Sequence, residues 1–274
     1  MLLNKRKCLH KSKSRRVISK FVFLGDFFFN AIINSSKLLL KIGYTLKFED
    51  FWKKNVHNKS TTIVGLFSNE PRGKKEIWDI AIKNILQLSD EGEIYEFGTN
   101  NGGSLHYFWE NLPEKVTLHG FDCFKGIPED WDSLSKGKIK GYGYPYELWR
   151  DCPDQRKKVE DHLLKTGKIL SPPQKNIVIH KGLFAHSLTD FLKDGVSKKI
   201  LLIHFDADIY MGTRPVLDSI CGRIDYKYFI LFDEFHSVNH EFQAWLEFTK
   251  LFNVNNWNII AASQDGAQVL IEVN

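Results

Sequence analysis

Apolar residues recur along the chain in two alternating periods. Short runs at Ile94 to Phe97, Val116 to Phe121, Ile177 to Ile179, Ile200 to Phe205 and Tyr228 to Phe232 have the length and the β-branched or aromatic content of buried strands. Between them apolar residues fall at helical spacing, as in Ile77, Ile80, Ala81, Ile85 and Leu88 before the first run and Leu105, Phe108 and Trp109 after it. Further helices are expected near 187–192, 212–221 and 239–250, and closing strands at Trp257–Ala262 and Ala267–Val273. Strands alternating with helices form βαβ units, so the pattern predicts an α/β, Rossmann-like domain: a mostly parallel sheet with helices on both faces.

Polar residues concentrate where the strands stop. After the first run come Gly98 and Gly102, with Ser104 opening the next helix. A glycine-rich turn at the carboxyl end of a strand in an open sheet is where nucleotide-like cofactors bind. The dinucleotide pattern G-x-G-x-x-G is absent, and Glu96-x-Gly98-x-x-x-Gly102 places a carboxylate inside the motif. That suits S-adenosylmethionine, which offers an ammonium, a sulfonium and a ribose diol but no pyrophosphate. Asp122 ends the second run 24 residues beyond Gly98, close to the spacing at which such folds hold ribose hydroxyls. Taken alone, the turn is equally compatible with an ordinary strand–turn–helix, and Asp122 with a surface aspartate.

Two later runs also end in acids, Asp206 with Asp208 and Asp233 with Glu234. Parallel strands bring these carboxyl ends to one edge of the sheet. Clustered like charges are costly unless a cation or hydrogen bonds compensate, and Mg²⁺, which takes oxygen ligands, is the natural candidate. His204, between apolar neighbours, reads as a hydrogen-bonded core histidine rather than a base.

Composition narrows the partners. The 274 residues are 43% hydrophobic and carry a net charge of +5, but residues 1–20 hold eight Lys and Arg and no acid, leaving 30 basic against 33 acidic residues elsewhere. The body has no basic excess, so no nucleic-acid partner is expected. Cys8, Cys123, Cys152 and Cys221 form no C-x-x-C pair, which suits reduced thiols in the cytoplasm better than zinc or disulfides.

Residues 1–60 read as a basic tail with N-terminal helices, and 61–274 as the main domain. The aromatic stretch 21–33, interrupted by Gly25, Asp26 and Asn30, is too short and polar to span a bilayer. It either packs on the domain or on a second subunit of a homo-oligomer, or lies on the inner face of an anionic membrane beside the tail; packing is the favoured reading. Residues 128–175 break the alternation, with Trp131, Tyr142, Tyr144, Tyr146 and Trp149 among lysines. They read either as a lid-like insertion whose rings suit a glycan or other small-molecule acceptor or, equally, as a packed surface excursion.

Five motifs over about residues 93–250 resemble the macrocin O-methyltransferases and related sugar O-methyltransferases of the class I S-adenosylmethionine fold. They are Tyr95-Glu96-Phe-Gly98-x-x-x-Gly102-x-Ser104, Gly120-Phe-Asp122-x-Phe124-x-Gly126-x-Pro128, Lys181-Gly182-x-Phe184, His204-x-Asp206-Ala-Asp208-x-Tyr210, and Phe232-Asp233-Glu234-Phe235. The resemblance implies a seven-stranded sheet of order 3-2-1-4-5-7-6 with the last strand antiparallel. It implies cofactor contacts from Glu96, Gly98, Gly102, Ser104, Asp122, Phe124, Gly182 and Phe184. It also implies a magnesium ion held by Asp206, Asp233 and Glu234 at the acceptor hydroxyl. Beside that hydroxyl, Asp206 or a neighbour is the candidate catalytic group to accept its proton. Lys125 stands where an acid is usual, and Pro-Gly is absent around Arg223 to Tyr226. The function expected is transfer of a methyl group from S-adenosylmethionine to a hydroxyl of a sugar or glycosylated metabolite. A nicotinamide-dependent oxidoreductase would need the missing glycine pattern, and a non-catalytic binding protein predicts lost acids where all are present.

Overall fold

The computed structural model describes residues 32, 35–57, 61–65, 71–129, 136–138, 175–194 and 198–274. The basic run 1–20, nearly all of the aromatic stretch and most of the insertion, including its aromatic residues, lie outside the described residues. The chain divides into two compact units between Lys47 and Phe48. Residues 35–52 are helical (α1), followed by one wide turn at Lys53–His57. Among the described residues no helix is long and apolar enough to cross a membrane.

The second unit is built on one sheet. Its strands are β1 (Thr62–Val64), β2 (Gly92–Phe97), β3 (Val116–Asp122), β4 (Ile177–Lys181), β5 (Ile200–Phe205), β6 (Tyr228–Phe232), β7 (Trp257–Ser263) and β8 (Val269–Val273). They lie in the order β1-β7-β8-β6-β5-β2-β3-β4, with β8 antiparallel to both β6 and β7 and every other pairing parallel. The expected order is present, but the sheet has eight strands rather than seven. The addition is β1, three residues with one buried side chain, too short to leave a periodic signal and fixed by pairing with β7.

The helices are α2 (Pro71–Leu88), α3 (Gly103–Asn111), α4 (Phe184–Phe191), α5 (Tyr210–Ile220) and α6 (Glu241–Leu251). Strands β2, β5 and β6 are buried at every position, as central strands covered on both faces must be. Alternation along each strand then assigns the faces. Ile94, Leu118 and Leu202 pack with Ile77 and Ile85 of α2 and Leu105 and Phe108 of α3. On the other face, Tyr95 and Phe121 meet Phe191 of α4, and Phe232 meets Trp245 of α6. Phe48 and Phe51, at the carboxyl end of α1, both pack edge-on against Phe242, and Phe51 stacks on Trp257.

Helix α4 begins at Phe184, three residues before the expected start, because Leu183 enters in extended conformation and its carbonyl accepts the first backbone bonds from His186 and Ser187. Apolar spacing marks only where a helix buries a face; its first turn can be polar and exposed.

Candidate active site

One row of rings underlies the site. Phe97, Phe121, Phe205 and Phe232, the ends or near-ends of four neighbouring strands, stand in direct cross-strand register. Phe97 stacks on Phe121 at 4.7 Å and on Phe205 at 5.7 Å, and Phe205 on Phe232 at 5.2 Å. All four are fully buried. Each immediately precedes a site residue: Gly98, Asp122, Asp206 and Asp233. The row is an apolar floor that fixes where those four residues leave the sheet, since cross-strand aromatic pairs stabilise register.

Above it is a cavity of about 610 Å³, bounded by Gly98, Asn100, Asp122, Gly182, Phe184, Asp206, Asp208, Asp233, Glu234 and Lys74, among others. That volume lies in the range of small-molecule sites. The cavity opens at the carboxyl ends of β2 and β5, where the chain turns to opposite sides of the sheet, the general ligand position in open α/β folds.

Asp122 ties two loops together. Its Oδ2 accepts a bond from the Asn100 backbone N–H and its Oδ1 from that of Phe124, both at 2.7 Å. Asn100 and Phe124 both have left-handed backbones, φ 47° and 55°, a conformation costly for a residue as bulky as phenylalanine. Burial raises the Asp122 pKa, and the bonds from Phe124 and Asn100 oppose that rise.

The predicted cofactor residues divide between cavity and core. Gly98, Asp122, Gly182 and Phe184 line the cavity. Glu96, Gly102, Ser104 and Phe124 are not among its lining residues. Glu96 lies on the opposite face of β2 from Phe97, fully buried, with Oε2 3.0 Å from His204 Nδ1. His204 is therefore the hydrogen-bonded core residue expected, and Glu96 is its partner. Gly102 is the left-handed residue (φ 73°) from which α3 starts, and Ser104 is buried in its first turn.

The acids of β5 and β6 converge, but around a lysine. Lys74 Nζ, from the first turn of α2, forms an ion pair with Asp233 Oδ2, and Gln268, the residue before β8, donates to Asp233 Oδ1. Burial opposes ionisation of Asp233, yet Lys74, His204 and the bond from Gln268 together hold its pKa below the usual carboxylate value. Burial likewise disfavours the Lys74 charge but is outweighed by Asp233, Asp206 and Glu234, so its pKa rises. For Asp206, burial and then Asp233 push the pKa well above normal. The same pair of causes, in the same order, raises Asp208 and Glu234 to about 7 each. Glu241, buried in α6, accepts the Glu234 backbone N–H at 3.0 Å and so fixes that residue's position.

This arrangement does not support the expected magnesium set of Asp206, Asp233 and Glu234. Both Asp233 oxygens are already engaged by Lys74 and Gln268, and among the described residues no three His, Cys, Asp or Glu side chains form a group able to hold a metal ion. As placed, Asp206, Asp233 and Glu234 do not fit the ion, because the Lys74 ammonium already lies against Asp233. Lys74 gave no sequence signal, because a lysine opening an amphipathic helix reads as solvated. Gln268 gave a weak one, as a polar residue within an apolar strand.

A stability test follows from Asp208, whose φ of 62° an asparagine tolerates well. Its native pKa near 7 exceeds the ordinary 3.8, so between those values the native state binds more protons than the unfolded state. Stability contributed by the protonated form is therefore lost as pH rises through 7. Asp208→Asn is expected to raise the thermal midpoint most at about pH 8 and less at about pH 5, and so to flatten the fall between them. Parallel curves for mutant and wild type would contradict a buried, charge-crowded Asp208.

No family model matches the chain, and no curated protein matches it. Among solved structures it is similar to the calicheamicin methyltransferase CalS11, with 20% identity over 73% of this chain and 79% of that chain and a TM-score of 0.51. It is also similar to the O-methyltransferase NovP, with 15% identity over 72% of this chain and 78% of that chain and a TM-score of 0.48. At this identity the likeness to the first is one of fold alone, a Rossmann-like α/β sheet.

Proposed function

We propose that the chain is an S-adenosylmethionine-dependent O-methyltransferase acting on a hydroxyl of a sugar or glycosylated small molecule. The observation that carries this reading is the cavity at the β2/β5 switch, with Asp122 at one end and the buried acids of β5 and β6 at the other. The likeness in fold to a calicheamicin methyltransferase supports it, as does the motif order along the chain. The cavity fits the cofactor in chemistry: it offers carboxylate acceptors for a diol and an ammonium, close backbone approach at Gly98, and the Phe184 ring for a planar group. When bound, S-adenosylmethionine supplies an electrophilic methyl group.

The protein's own residues do the rest. Asp122, held by two backbone N–H groups, keeps free lone pairs for ribose hydroxyls. Asp206, whose buried carboxyl binds a proton more readily than usual, accepts the proton of the acceptor hydroxyl. An alcohol at neutral pH is a poor nucleophile, and general-base assistance contributes about 10²–10⁴-fold. The apolar floor and the walls hold the reacting oxygen in line and exclude water, which supplies much of the remaining rate. No step is assigned to magnesium, because the acids as placed do not accommodate it.

The test is calorimetric titration with S-adenosylhomocysteine, followed by labelled methyl transfer to a panel of glycans and nucleotide sugars. Wild type should bind, and Asp122→Ala should bind about 10–100-fold more weakly, since a hydrogen bond to a charged group contributes about 1.5–3 kcal/mol. A folded wild type that ignores S-adenosylhomocysteine but binds NAD would replace this reading with an oxidoreductase.

A further inference from the structure

We infer that Lys74 is the built-in cation of the acid cluster: it occupies the place where the family resemblance puts a divalent metal, and the site is complete without one. The inference rests on the methyltransferase reading for its catalytic meaning, but on geometry for its substance. Asp206, Asp208, Asp233 and Glu234 leave two adjacent strands within a few residues of one another and all border one cavity. Such a group of carboxylates requires compensating positive charge. Lys74 provides it directly, through an ion pair to Asp233 Oδ2 made across 159 residues of sequence.

Two further features mark the pair as built into the fold. Gln268, itself fully buried, donates to the remaining Asp233 oxygen, so this carboxylate is oriented from both sides, by the turn leading into β8 and by helix α2. The lysine comes from the first turn of α2, a helix whose Ile77, Ala81 and Ile85 are completely buried against the sheet, so its stem starts from a fixed base. A doubly charged ion seated on Asp233 would have to displace the ammonium or lie against it, and like charges at such range repel strongly in a poorly solvated cavity.

An ammonium has three N–H donors. One is used on Asp233, and Lys74 itself borders the cavity. Among the described residues the others have no hydrogen-bond partner, and they can serve an acceptor oxygen, where a positive donor stabilises the charge that develops as the hydroxyl loses its proton to Asp206. The lysine thus does for the acceptor what a Lewis acid would do, with one charge instead of two and with hydrogen bonds instead of coordination.

Manganese titration followed by electron paramagnetic resonance tests this without an acceptor. Wild type and Lys74→Arg should show no saturable Mn²⁺ site up to millimolar metal. Lys74→Ala should gain one at least tenfold tighter, because removal of the ammonium leaves uncompensated carboxylates, and Lys74→Ala combined with Asp233→Asn should lose it again. Lys74→Gln, neutral and able to keep the bond to Asp233, carries the same expectation as Lys74→Ala and serves if the alanine variant does not fold. A wild type that binds Mn²⁺ as tightly as either neutral variant overturns the inference, as does the absence of any gain in both. Titration of the same wild-type protein with S-adenosylhomocysteine separates the two readings: its failure would remove the methyltransferase assignment and leave the metal result standing.

Discussion

Gly98→Ala is expected to lower the thermal unfolding midpoint by roughly 10 °C or more, the largest stability loss of any single methyl addition in the site. The backbone at Gly98 has φ 103°, and a Cβ there would lie 1.7 Å from the Asp206 carbonyl oxygen and 2.6 Å from its carbonyl carbon. Neither side can yield. The Asp206 N–H is bonded to the Phe97 carbonyl and the Gly98 N–H to the Phe121 carbonyl, each at 2.9 Å, so relief would break the sheet where the site begins. A left-handed conformation costs about 1–3 kcal/mol, and overpacking adds about 1–3 kcal/mol more. Each kcal/mol shifts the midpoint by about 2–4 °C in a protein of this size. Gly222→Ala is the control: it has a comparable positive φ of 72° but nothing within 4 Å, so it isolates the conformational part. Equal losses in the two variants would show that β5 does not approach Gly98 as closely as described.

That collision also shows which part of the glycine motif could be read in advance. The run into Gly98 identified a strand and a turn, but the turn was assigned to ligand approach. In the structure Gly98 serves two neighbours at once, the cavity on one side and the backbone of Asp206 on the other. The second is a contact between residues 108 positions apart, which no local pattern encodes. The glutamate two residues earlier is a different case. Strand alternation alone puts Glu96 on the face opposite Phe97, and His204 opposite Phe205, so their pairing through the sheet was available from parity. Reading Glu96 as part of a Glu-x-Gly motif hid this.

The four phenylalanines preceding Gly98, Asp122, Asp206 and Asp233 were likewise present as a repeated Phe-Gly or Phe-Asp step at four strand ends. Recognising them as one row required the sheet order, which is a long-range property. The strands themselves, and the convergence of the acids, were legible because buried parallel strands declare themselves as uninterrupted apolar runs and because all their carboxyl ends face one edge; the strand order came only with the family resemblance. Charge compensation was not. Carboxylates in sequence state that a cation is needed but not which one, and a metal ion and a lysine from a distant helix satisfy the same requirement.

Asp206→Asn should reduce methyl transfer by about 10²–10⁴-fold while leaving S-adenosylhomocysteine affinity within about threefold of wild type. The substitution is nearly isosteric and keeps the backbone, whose N–H is bonded to the Phe97 carbonyl at the end of β2, so cavity shape should be unchanged. What is lost is the ability to take a proton. Because burial, and then the neighbouring Asp233, raise the Asp206 pKa, wild-type activity should climb with pH above the usual carboxylate range as the base ionises. The residual activity of Asp206→Asn should lack that climb. Asp233→Asn should act differently: it removes the partner of Lys74 and one cause of the raised Asp206 pKa, so the ascending limb should move to lower pH while some activity persists. A steady-state pH profile of kcat/KM for the three proteins, each checked for folding and for S-adenosylhomocysteine binding, distinguishes these outcomes. If Asp206→Asn retains turnover within tenfold of wild type with an unaltered profile, Asp206 is not the base, and Glu234, also raised to about 7 at the cavity wall, becomes the residue to replace.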